Sequence, residues 1–501
     1  MLKRRAFLNF IPAVIGTVGS GAVLANAKLP AKWDQAQDVV VVGSGAAGMF
    51  AAVAAKEAGA KNVLVVEKTG SPYLNSTAYS FGGANGSGTK AQAKLGIVDK
   101  GNIDNFKKEI IAGGKGTNRE EIVKTYAENA YKALDYLTDR GAELNVVNNA
   151  SFPVKRMHVN KEGSGAYYVK VLEKQAKKLG VQFAFNTKAV ELLTNPEGNE
   201  VVGIVVEHKG VKSSIKVLKG VVLASGGYMG AAQLIDQFLL PFKGALTCAS
   251  PASEGQGLLM AMKIGAGTTH MDQGAVYAYG VPLDKQKRRG LIFRGHVMNL
   301  YGGITLGPDG KRFINDETNS AEVSNVMVQK GFEKVYCIIT EAQLKDFMEH
   351  DPSQVIGWKR DVFLKELENG QYFSCKANSI SELAKKMGLP VDEVVKTVER
   401  YDGFVKGGED KDFHRKYMKG TFEKGPYYGF VCQPVAMASL GGLKANSKLQ
   451  VLDVYNTPIK HLYAAGEVLG GLHGSSYIGG DSVGGALTLG MVAGQNAVKD
   501  N

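Results

Sequence analysis

Short runs of aliphatic residues, divided by clusters of glycine, form the dominant hydrophobic pattern of this chain. Residues 39–42 are four valines, and they lead into a glycine cluster that is followed by an alanine-rich segment. A second valine-rich run begins at residue 63 and ends at Glu67. Because β-branched residues favour strands and alanine favours helices, this order predicts a strand, a tight turn, a helix and a second strand.

The glycine cluster has the spacing of a dinucleotide-binding fingerprint. Gly43 allows a sharp turn, Gly45 lets backbone N–H groups approach a pyrophosphate, and Gly48 lets the helix pack closely on the sheet. The pyrophosphate then faces the helix N-terminus, where unpaired N–H groups and the helix dipole favour anions. Glu67 follows at the distance expected for a carboxylate that binds a ribose hydroxyl. The predicted contacts in this part of the chain are Gly43, Ser44, Gly45, Ala46, Ala47, Gly48, Glu67 and Lys68.

Similar patterns predict further elements along the chain. Residues 117–141 have an amphipathic helical pattern, with Thr117 as N-cap, Glu120 in the capping-box position and Gly141 as terminator. A helix rich in small residues is predicted over residues 481–494. Strands are predicted at residues 181–186, 201–206, 221–224 and 462–465.

Composition is that of a globular protein and excludes some kinds of site. The 501 residues suffice for two or three domains, and 44% hydrophobic with 22% charged residues is ordinary for a soluble protein. The 63 glycines occur in short motifs, which indicates close approaches of the backbone to a ligand. The four cysteines form neither C-x-x-C nor C-x-x-C-H, so no c-type haem and no thiolate metal site of standard spacing is expected. No metal is predicted, and a disulfide stays open.

Residues 1–27 are predicted to be a signal peptide. The N-terminal region is basic and contains Arg4 and Arg5. An apolar stretch covers residues 10–24, and residues 25–27 read Ala-Asn-Ala, an A-x-A cleavage site. The Arg-Arg-Ala-Phe-Leu core resembles a twin-arginine signal, which exports proteins that have already folded around a cofactor. An ordinary secretory signal is the alternative. Either predicts a periplasmic protein with no membrane span once the signal is removed.

The formal net charge is +12, and removal of Lys3, Arg4 and Arg5 with the signal leaves +9. The lysines are scattered and no basic stretch is interleaved with aromatic residues, so a nucleic acid is not the expected partner. A basic surface can steer an acidic redox partner or an anionic substrate. The simpler alternative is scattered, solvated lysine.

The segment after the second strand carries a recognisable motif. Residues 75–85 read N-S-T-A-Y-S-F-G-G-A-N, and small polar residues beside two glycines suit a loop that lies flat against a ring system. This loop resembles the N-S-x-x-S-G-G-x-N loop of the fumarate reductase/succinate dehydrogenase flavoprotein family. The resemblance is to its soluble branch of periplasmic fumarate reductases, urocanate reductase and 3-ketosteroid dehydrogenases. Membrane-bound members attach FAD to a histidine here. The loop has none, so the resemblance implies non-covalent FAD.

Other motifs follow the order of the same family. Residues 224–227 resemble its A-T/S-G-G strand end, residues 311–317 resemble its G-K/R-R-F-V-N-E motif, and Gln256 stands in the place of Asp in its G-D-G turn. The resemblance implies these further FAD contacts: Asn75, Ser76, Thr77, Gly82, Gly83, Ala189, Gly226, Gly227, Gln256, Gly466, Glu467, Ser482 and Val483. It also implies an α/β fold: a Rossmann-like FAD-binding domain with an inserted α+β capping domain. The FAD-binding domain would comprise residues 28–271 and 431–501, and the cap residues 272–430.

The family's fumarate-binding groups are missing at the matching positions. In the fumarate reductases, one arginine delivers the proton, and a second arginine, two histidines and a Thr-Glu pair hold the carboxylates. Ser320 stands for the catalytic arginine, Tyr477 for the second arginine, and Ala438 for one histidine. The other histidine falls near Tyr277 and the glutamate near His296. Fumarate is therefore not the expected substrate.

These residues favour an ene-reductase, in which reduced flavin gives hydride to the β-carbon of an activated C=C bond. Tyr477, helped by His296, would donate a hydrogen bond or proton to the activating group. Tyr277 and Tyr279 would form an aromatic wall for a ring-bearing substrate, or simply belong to the core. Tyr477 could be a packing residue and His296 a structural one. Arg288, Arg289 and Arg294 could hold one substrate carboxylate, with solvated surface charge as the simpler alternative.

Three other functions stay open. A dehydrogenase of the 3-ketosteroid type would run the same chemistry in the desaturating direction, although the base tyrosine of those enzymes falls on Ser320. A flavin-binding protein without catalysis is the second, and a nicotinamide-linked enzyme is the most distant. Since the chain has neither a haem motif nor a second dinucleotide fingerprint, we expect a separate periplasmic cytochrome c as electron donor.

Overall fold

The computed structural model describes residues 29–97, 102–149, 151–284, 286–351 and 353–500. The predicted signal peptide, residues 1–27, lies outside this part of the chain. Among the helices of these residues, none has both the length and the apolar character that crossing a bilayer requires.

The strands of the described residues are, in chain order, β1 Gln35–Val42, β2 Val63–Val66, β3 Ala84–Asn85, β4 Leu144–Val147, β5 Met157–Asn160, β6 Gln182–Ala184, β7 Thr187–Thr194, β8 Val201–His208, β9 Val211–Leu223, β10 Leu246–Thr247, β11 Thr268–Thr269, β12 Gly274–Asp284, β13 Arg289–Ile292, β14 Ile304–Leu306, β15 Val335–Thr340, β16 Ser374–Ala377, β17 Tyr427–Ser439, β18 Gly442–Leu443, β19 Gln450–Leu452 and β20 Pro458–Ala464. The α-helices are α1 Ala46–Glu57, α2 Ser76–Tyr79, α3 Lys90–Lys94, α4 Asn102–Gly113, α5 Glu120–Asp139, α6 Ala166–Lys178, α7 Ala232–Phe238, α8 Gln256–Lys263, α9 Gly295–Asn299, α10 Ser320–Lys330, α11 Glu341–His350, α12 Arg360–Asn369, α13 Ile380–Met387, α14 Val391–Gly407 and α15 Asp481–Lys499. Short 3₁₀ helices cover Leu240–Phe242 and Gly466–Val468.

The first sheet has the strand order β19-β20-β9-β1-β2-β6, and β8 and β7 extend it from β9. Its centre is parallel: Val40 of β1 is paired with Leu64 of β2 on one side and with Val221 of β9 on the other. Most of β1 and all of β2 are buried, which suits strands that are covered on both faces. The strand, turn, helix and strand predicted for residues 39–67 are confirmed, as are the predicted strands that became β6, β8, β9 and β20.

The helices α1 and α15 pack against each other through backbone. A Cβ atom added at Gly490 would clash with the carbonyl oxygen of Ala47, and one at Gly494 with that of Ala51. Gly48 has the same role on the inner side, where a Cβ would clash with the carbonyl oxygen of Gly43. The small residues of both helices therefore permit the close contact that fixes α15 on the sheet.

The second sheet has the order β10-β13-β12-β17-β15-β14, with β16 also paired to β17. It is mostly antiparallel, and its buried core includes Tyr279, Phe293 and Phe430. The helices α10 to α14 belong to the same part of the chain as this sheet. The central part of the chain therefore has α+β structure. The predicted cap begins just before β12 and ends within β17. Strand β17 pairs with four other strands and continues through residue 439, beyond the predicted end of the cap. The division into domains stays a prediction.

The helix predicted at residues 117–141 begins later than predicted. Helix α5 starts at Glu120 with Arg119 as N-cap, so the N-cap assigned to Thr117 is wrong. The hydroxyl of Thr117 instead donates to the carbonyl oxygen of Gly114, 2.9 Å away, and closes the preceding turn. The predicted terminator is confirmed: Gly141 follows the last turn with φ +89°.

Candidate active site

A cavity of about 1070 Å³ lies between the carboxyl ends of the first sheet and the second sheet. It is lined by every residue predicted to bind the cofactor except Gly48 and Gly227, and by the predicted catalytic residues Tyr277, His296 and Tyr477. Both exceptions act through packing: a Cβ at Gly227 would clash with the side chains of Ser439 and Glu467. The structure thus brings together residues from five separated parts of the chain.

One end of the cavity is built around Glu67. The backbone N–H and the hydroxyl of Ser44 donate to Oε2 of Glu67, at 3.0 and 2.7 Å. The N–H and hydroxyl of Thr69 donate to Oε1, at 2.8 and 2.9 Å. Four donors therefore hold the carboxylate in one orientation, directly after β2. Lys68 also lines this end and forms an ion pair with Glu254.

The N-termini of two helices open on the cavity. Helix α1 begins at Gly45, which has no side chain to cap it, and the N–H of Ala46 donates to the hydroxyl of Thr77, 3.2 Å away. Helix α15 begins at Gly480, which has φ +92° and again no side-chain cap. Both ends carry unpaired backbone N–H groups and the positive end of a helix dipole, an arrangement that binds anionic oxygens.

These residues fit a dinucleotide cofactor. The cavity exceeds the roughly 300–1,000 Å³ of a typical single-ligand pocket, so it has room for a cofactor and a substrate. The hydroxyl oxygen of Ser225, which lines it, is buried and has no hydrogen-bond partner in the described residues. Gly43, with φ +105°, brings the backbone of β1 close to that of Ala224.

The other end of the cavity has Tyr477 and Tyr277. Burial raises the pKa of both phenols above the usual value, and the nearby phenol of Tyr477 raises the pKa of Tyr277 further. The ring of His473 lies beside Tyr477, and its Nε2 shares a hydrogen bond of 3.1 Å with the hydroxyl of Ser482. Burial lowers the pKa of His473 to about 4, so this imidazole is neutral at physiological pH.

His296 lies on the cap side of the same end. Its Nδ1 is buried and has no partner among the described residues, and its ring stacks against Tyr279, with centroids 6.2 Å apart. Burial, and then the charge of Arg294, lower its pKa to about 4. A neutral imidazole offers a hydrogen bond rather than a stored proton. Tyr279 itself is buried in the cap core and contacts Thr305, so its predicted part in an aromatic wall is wrong.

The predicted arginines separate in the structure. Arg288 pairs with Asp236 and donates to the carbonyl oxygen of Ala245, and Arg289 donates to that of Ala249; neither lines the cavity. Arg294 does line it, and its Nη1 lies 3.0 Å from Oδ1 of Asp351.

Ser320 also lines the cavity, but its hydroxyl accepts a hydrogen bond from the N–H of Ala278, 3.0 Å away. This bond ties α10 to β12. Ser320 therefore has a structural partner at the position where the family's arginine would stand.

Two buried residues beside the cavity lining were not predicted to belong to the site. Asp481, the first residue of α15, is fully buried; it accepts from Nδ2 of Asn85 at 2.8 Å and from the hydroxyl of Tyr126 at 3.2 Å. Its Oδ2 has no partner in the described residues, and burial raises its pKa to about 7. His473 is the other. A carboxylate opening an otherwise apolar helix, and a histidine four residues before Tyr477, were the available signals.

Among the described residues, no cluster of His, Cys, Asp and Glu has the arrangement of a metal site. All four cysteines are free thiols, so the disulfide that the sequence left open is not formed.

A family model described as "FAD binding domain" matches residues 38–483. The probable fumarate reductase Ifc3 of Shewanella frigidimarina (strain NCIMB 400) is 31% identical over 465 residues, which are 92% of this chain and 74% of that protein. The vinyl phenol reductase of Lactiplantibacillus plantarum (strain ATCC BAA-793 / NCIMB 8826 / WCFS1) is 28% identical over 487 residues, 92% of this chain and 96% of that protein.

Two solved structures have the same fold. The open conformation of a flavocytochrome c3 fumarate reductase has a TM-score of 0.77 and 31% identity, and the match covers 94% of this chain and 79% of that one. The 3-ketosteroid-Δ4-(5α)-dehydrogenase of Rhodococcus jostii RHA1 has a TM-score of 0.71 and 27% identity, with 93% and 98% covered.

Proposed function

Since this chain belongs to the FAD-binding-domain family and, within it, to the relatives of fumarate reductase, we propose that it reduces an activated C=C bond other than that of fumarate. The chain is an FAD-dependent oxidoreductase, and its relatives are named for reactions at C=C bonds. The acceptor we propose is an enone or an aryl acrylate.

One observation carries the choice against fumarate. The substrate end of the cavity is lined by Tyr277, Tyr477, His296, Ser320 and Ala438, and the only guanidinium among its described lining residues is that of Arg294. A dicarboxylate needs a cationic partner for each carboxylate, and bidentate arginine pairing is the usual one. Two phenols and a neutral imidazole instead suit a carbonyl oxygen or another uncharged acceptor.

Other lining residues would hold FAD. The N-terminus of α1 would bind the pyrophosphate, Glu67 the ribose, and the N-terminus of α15 the flavin edge that becomes negative on reduction. When bound, the cofactor supplies hydride to the β-carbon of the acceptor. Non-covalent attachment is part of this proposal, because Ser76 and its neighbours include no histidine.

Tyr477 would donate to the activating group of the substrate. A phenol whose pKa is raised stays protonated at neutral pH and is therefore a hydrogen-bond donor throughout the working range. Ser482 and His473 lie behind it and would hold its hydroxyl in place or return a proton to it. Tyr277 and His296 would complete the donor set on the cap side.

Glu467 fixes the distance between the two halves of the site. Its Oε1 accepts from the N–H and the hydroxyl of Ser439, at 2.9 and 3.1 Å, and so joins the end of β17 to the segment after β20. Leu291, Ile292 and Ile356 form an apolar lining across from it. We propose that this lining excludes water while hydride is transferred.

Electrons would come from a separate periplasmic cytochrome c. The relative structure named above is a flavocytochrome, whereas the sequence here has no C-x-x-C-H motif. Export through the predicted signal peptide, residues 1–27, belongs to the same proposal. So does the division into an FAD-binding domain and a cap over residues 272–430.

The test is anaerobic stopped-flow reoxidation of the reduced enzyme. We expect enones or aryl acrylates to reoxidise the flavin rapidly, and fumarate to do so at least about 100-fold more slowly. Rapid formation of succinate from fumarate would contradict the proposal that the cavity does not suit a dicarboxylate. Failure of every alkene in the panel would contradict the proposed function.

A dehydrogenase is the second candidate. The match to the ketosteroid dehydrogenase covers 98% of that enzyme, and Tyr477 lines the cavity. This candidate predicts that a saturated ketone or 3-ketosteroid bleaches the oxidised flavin anaerobically. An ene-reductase is reoxidised by the alkene and is not bleached by the saturated product.

A further inference from the structure

We propose that Arg294 is the anchor for a single substrate carboxylate, so that the acceptor is an α,β-unsaturated monocarboxylic acid with an apolar, preferably aromatic, substituent. The proposal rests on the function proposed above and narrows it. It concerns a residue whose role the sequence left open between a carboxylate site and solvated surface charge.

The backbone places Arg294 at the substrate end. It lies two residues after β13 and occupies the N-cap position of α9, and its N–H donates to the carbonyl oxygen of Gln354, 2.9 Å away. Its side chain lines the cavity together with Tyr277, Tyr477 and His296. The guanidinium is therefore in the same space as the residues proposed to bind the activating group.

Asp351 holds one end of this guanidinium. Nη1 of Arg294 lies 3.0 Å from Oδ1 of Asp351, whose side chain is only 5% exposed, whereas that of Arg294 is 33% exposed. Oδ1 also accepts from the N–H of Ser353, which fixes the carboxylate. A guanidinium has five N–H donors, and in the described residues no other side-chain hydrogen bond of Arg294 is formed. Its remaining N–H groups can donate hydrogen bonds to a second carboxylate.

The molecule already contains an arginine that pairs with two carboxylates. Arg312 lies 2.6 Å from Asp316 and 2.7 Å from Asp410, with all three side chains buried. The planar, forked guanidinium permits this arrangement because its N–H groups point in different directions. An existing pair with Asp351 is therefore no obstacle to a substrate carboxylate at Arg294.

No other cation competes for this role among the described lining residues. Lys68 and Lys188 lie beside Glu67, at the opposite end, where Lys68 is paired with Glu254 and Thr187 donates its N–H to the carbonyl oxygen of Glu67. His296 is neutral at physiological pH because its pKa is lowered to about 4. One fixed positive charge at the substrate end predicts one carboxylate.

The surroundings of Arg294 predict the rest of the substrate. Apolar side chains line the same end of the cavity: Cys248, Leu291, Ile292, Ile356 and Met437. Several of them form one cluster with Tyr277. An apolar wall beside one cation matches an amphiphilic acid, in which a ring or branched chain contacts the wall and the carboxylate contacts Arg294.

The experiment compares an acid with its uncharged amide on the FAD-loaded full chain. The probes are 3-phenylpropanoate and 3-phenylpropanamide, titrated against the oxidised enzyme and followed by the change in flavin absorbance. We expect Arg294→Gln to weaken the acid about 10- to 100-fold and to change the amide less than about 3-fold. Arg294→Lys should recover part of the acid affinity. Arg289→Gln, at the start of β13 and outside the cavity, is the matched control and should change neither.

A second variant guards against loss of structure. Arg294→Gln leaves Asp351 buried without its cation, so Arg294→Gln/Asp351→Asn is measured in parallel, and the same selective loss of the acid is expected. Equal weakening of acid and amide, an unchanged acid, or no binding of the acid to the wild type would each overturn the proposal. Because the oxidised enzyme is titrated, these results are independent of turnover, whereas failure of the proposed function is read from reoxidation by alkenes.

Discussion

The imidazole of His473 lies stacked against the phenol of Tyr477, with ring centroids 5.2 Å apart and an angle of 29° between the planes. The same imidazole is bonded to Ser482, the second residue of α15. Tyr477, in the loop before α15, and Ser482, in the first turn of α15, are thereby joined through the neutral ring of His473. The position of Tyr477 follows from this unit rather than from the tyrosine alone.

Tyr477→Phe tests the proposed donor. The substitution removes the hydroxyl and keeps the ring contact with His473, so the flavin spectrum and the melting temperature should not change. We expect reoxidation of the reduced flavin by the alkene acceptor to slow by about 10²- to 10⁴-fold in stopped-flow measurements. Tyr455→Phe, at a side chain that is 84% exposed, is the control. A rate close to that of the wild type would remove Tyr477 from the mechanism.

Asp481 should make the folded state less stable as the pH rises. Its pKa is about 7 when folded and about 3.9 in an unfolded chain, so between these values the folded state holds a proton that the unfolded state has lost. Stability contributed by Asp481 is fully present below pH 4 and is lost as the pH rises towards 7, by up to about 4 kcal/mol. Asp481→Asn should therefore stabilise the protein at pH 8 and change little at pH 4, as measured by urea unfolding.

Asp236→Asn is the matched control for this experiment. Hydrogen bonding to Arg288 lowers the pKa of Asp236, so its contribution to stability is present above the unfolded pKa and is lost on acidification. The substitution should thus destabilise the protein at pH 8, opposite in sign to Asp481→Asn. Parallel pH profiles for the wild type and Asp481→Asn would show that Asp481 does not titrate in this range.

His158 should destabilise the protein on the acid side. The imidazole is buried between the hydroxyl of Thr89, 2.7 Å from Nε2, and the carbonyl oxygen of Arg156, 3.0 Å from Nδ1, so protonation would place a charge where water does not reach it. Burial lowers its pKa to about 4 from 6.5. Its contribution to stability is therefore present at pH 7 and is lost as the pH falls from 6.5 to 4, by up to about 3 kcal/mol.

The test is the difference between pH 7 and pH 4.5 in urea unfolding. His158→Gln should be less stable than the wild type at pH 7 but should lose less stability on acidification. His350→Gln, which removes an exposed imidazole, is the control. If the loss on acidification is the same with and without His158, another group is responsible for it.

Gly494→Ala tests the contact between α1 and α15. An added Cβ meets the carbonyl oxygen of Ala51, a backbone atom that cannot move aside, so we expect a loss of about 1–3 kcal/mol and weaker retention of FAD. Gly403→Ala in α14 is the matched control, because a Cβ there has nothing within 4 Å. It should stabilise the protein by about 0.5–1 kcal/mol through helix propensity. Equal effects of the two substitutions would contradict the packing described above.

The elements of the first sheet could be predicted because their signals are local. Residues 39–67 contain both strands, the turn glycines and the carboxylate in one short segment, and the family resemblance then assigned the remaining contacts. The N-cap of α5 was wrong for a local reason as well: the hydroxyl of Thr117 has a competing acceptor in Gly114, and a sequence pattern does not rank the two.

What could not be predicted depends on partners far along the chain. Asp481 is neutralised by burial among residues 396 and 355 positions away, Asn85 and Tyr126. Arg289 and Arg294 are both basic residues near one strand, and only the cavity wall and Asp351 distinguish them. Tyr277 and Tyr279 are two positions apart on β12, a spacing that places both on one face of a regular strand. The register against β17 shifts between Tyr277 and Gly280, and Tyr279 faces the core while Tyr277 lines the cavity; a sequence pattern does not show this irregularity.

The close contact of α1 with α15 also sets the order of events during biosynthesis. Helix α1 leaves the ribosome more than 400 residues before Asp481 does, yet both helix N-termini belong to the site proposed for the flavin nucleotide. Under the proposed function, the complete nucleotide site therefore exists only once α15 has been synthesised.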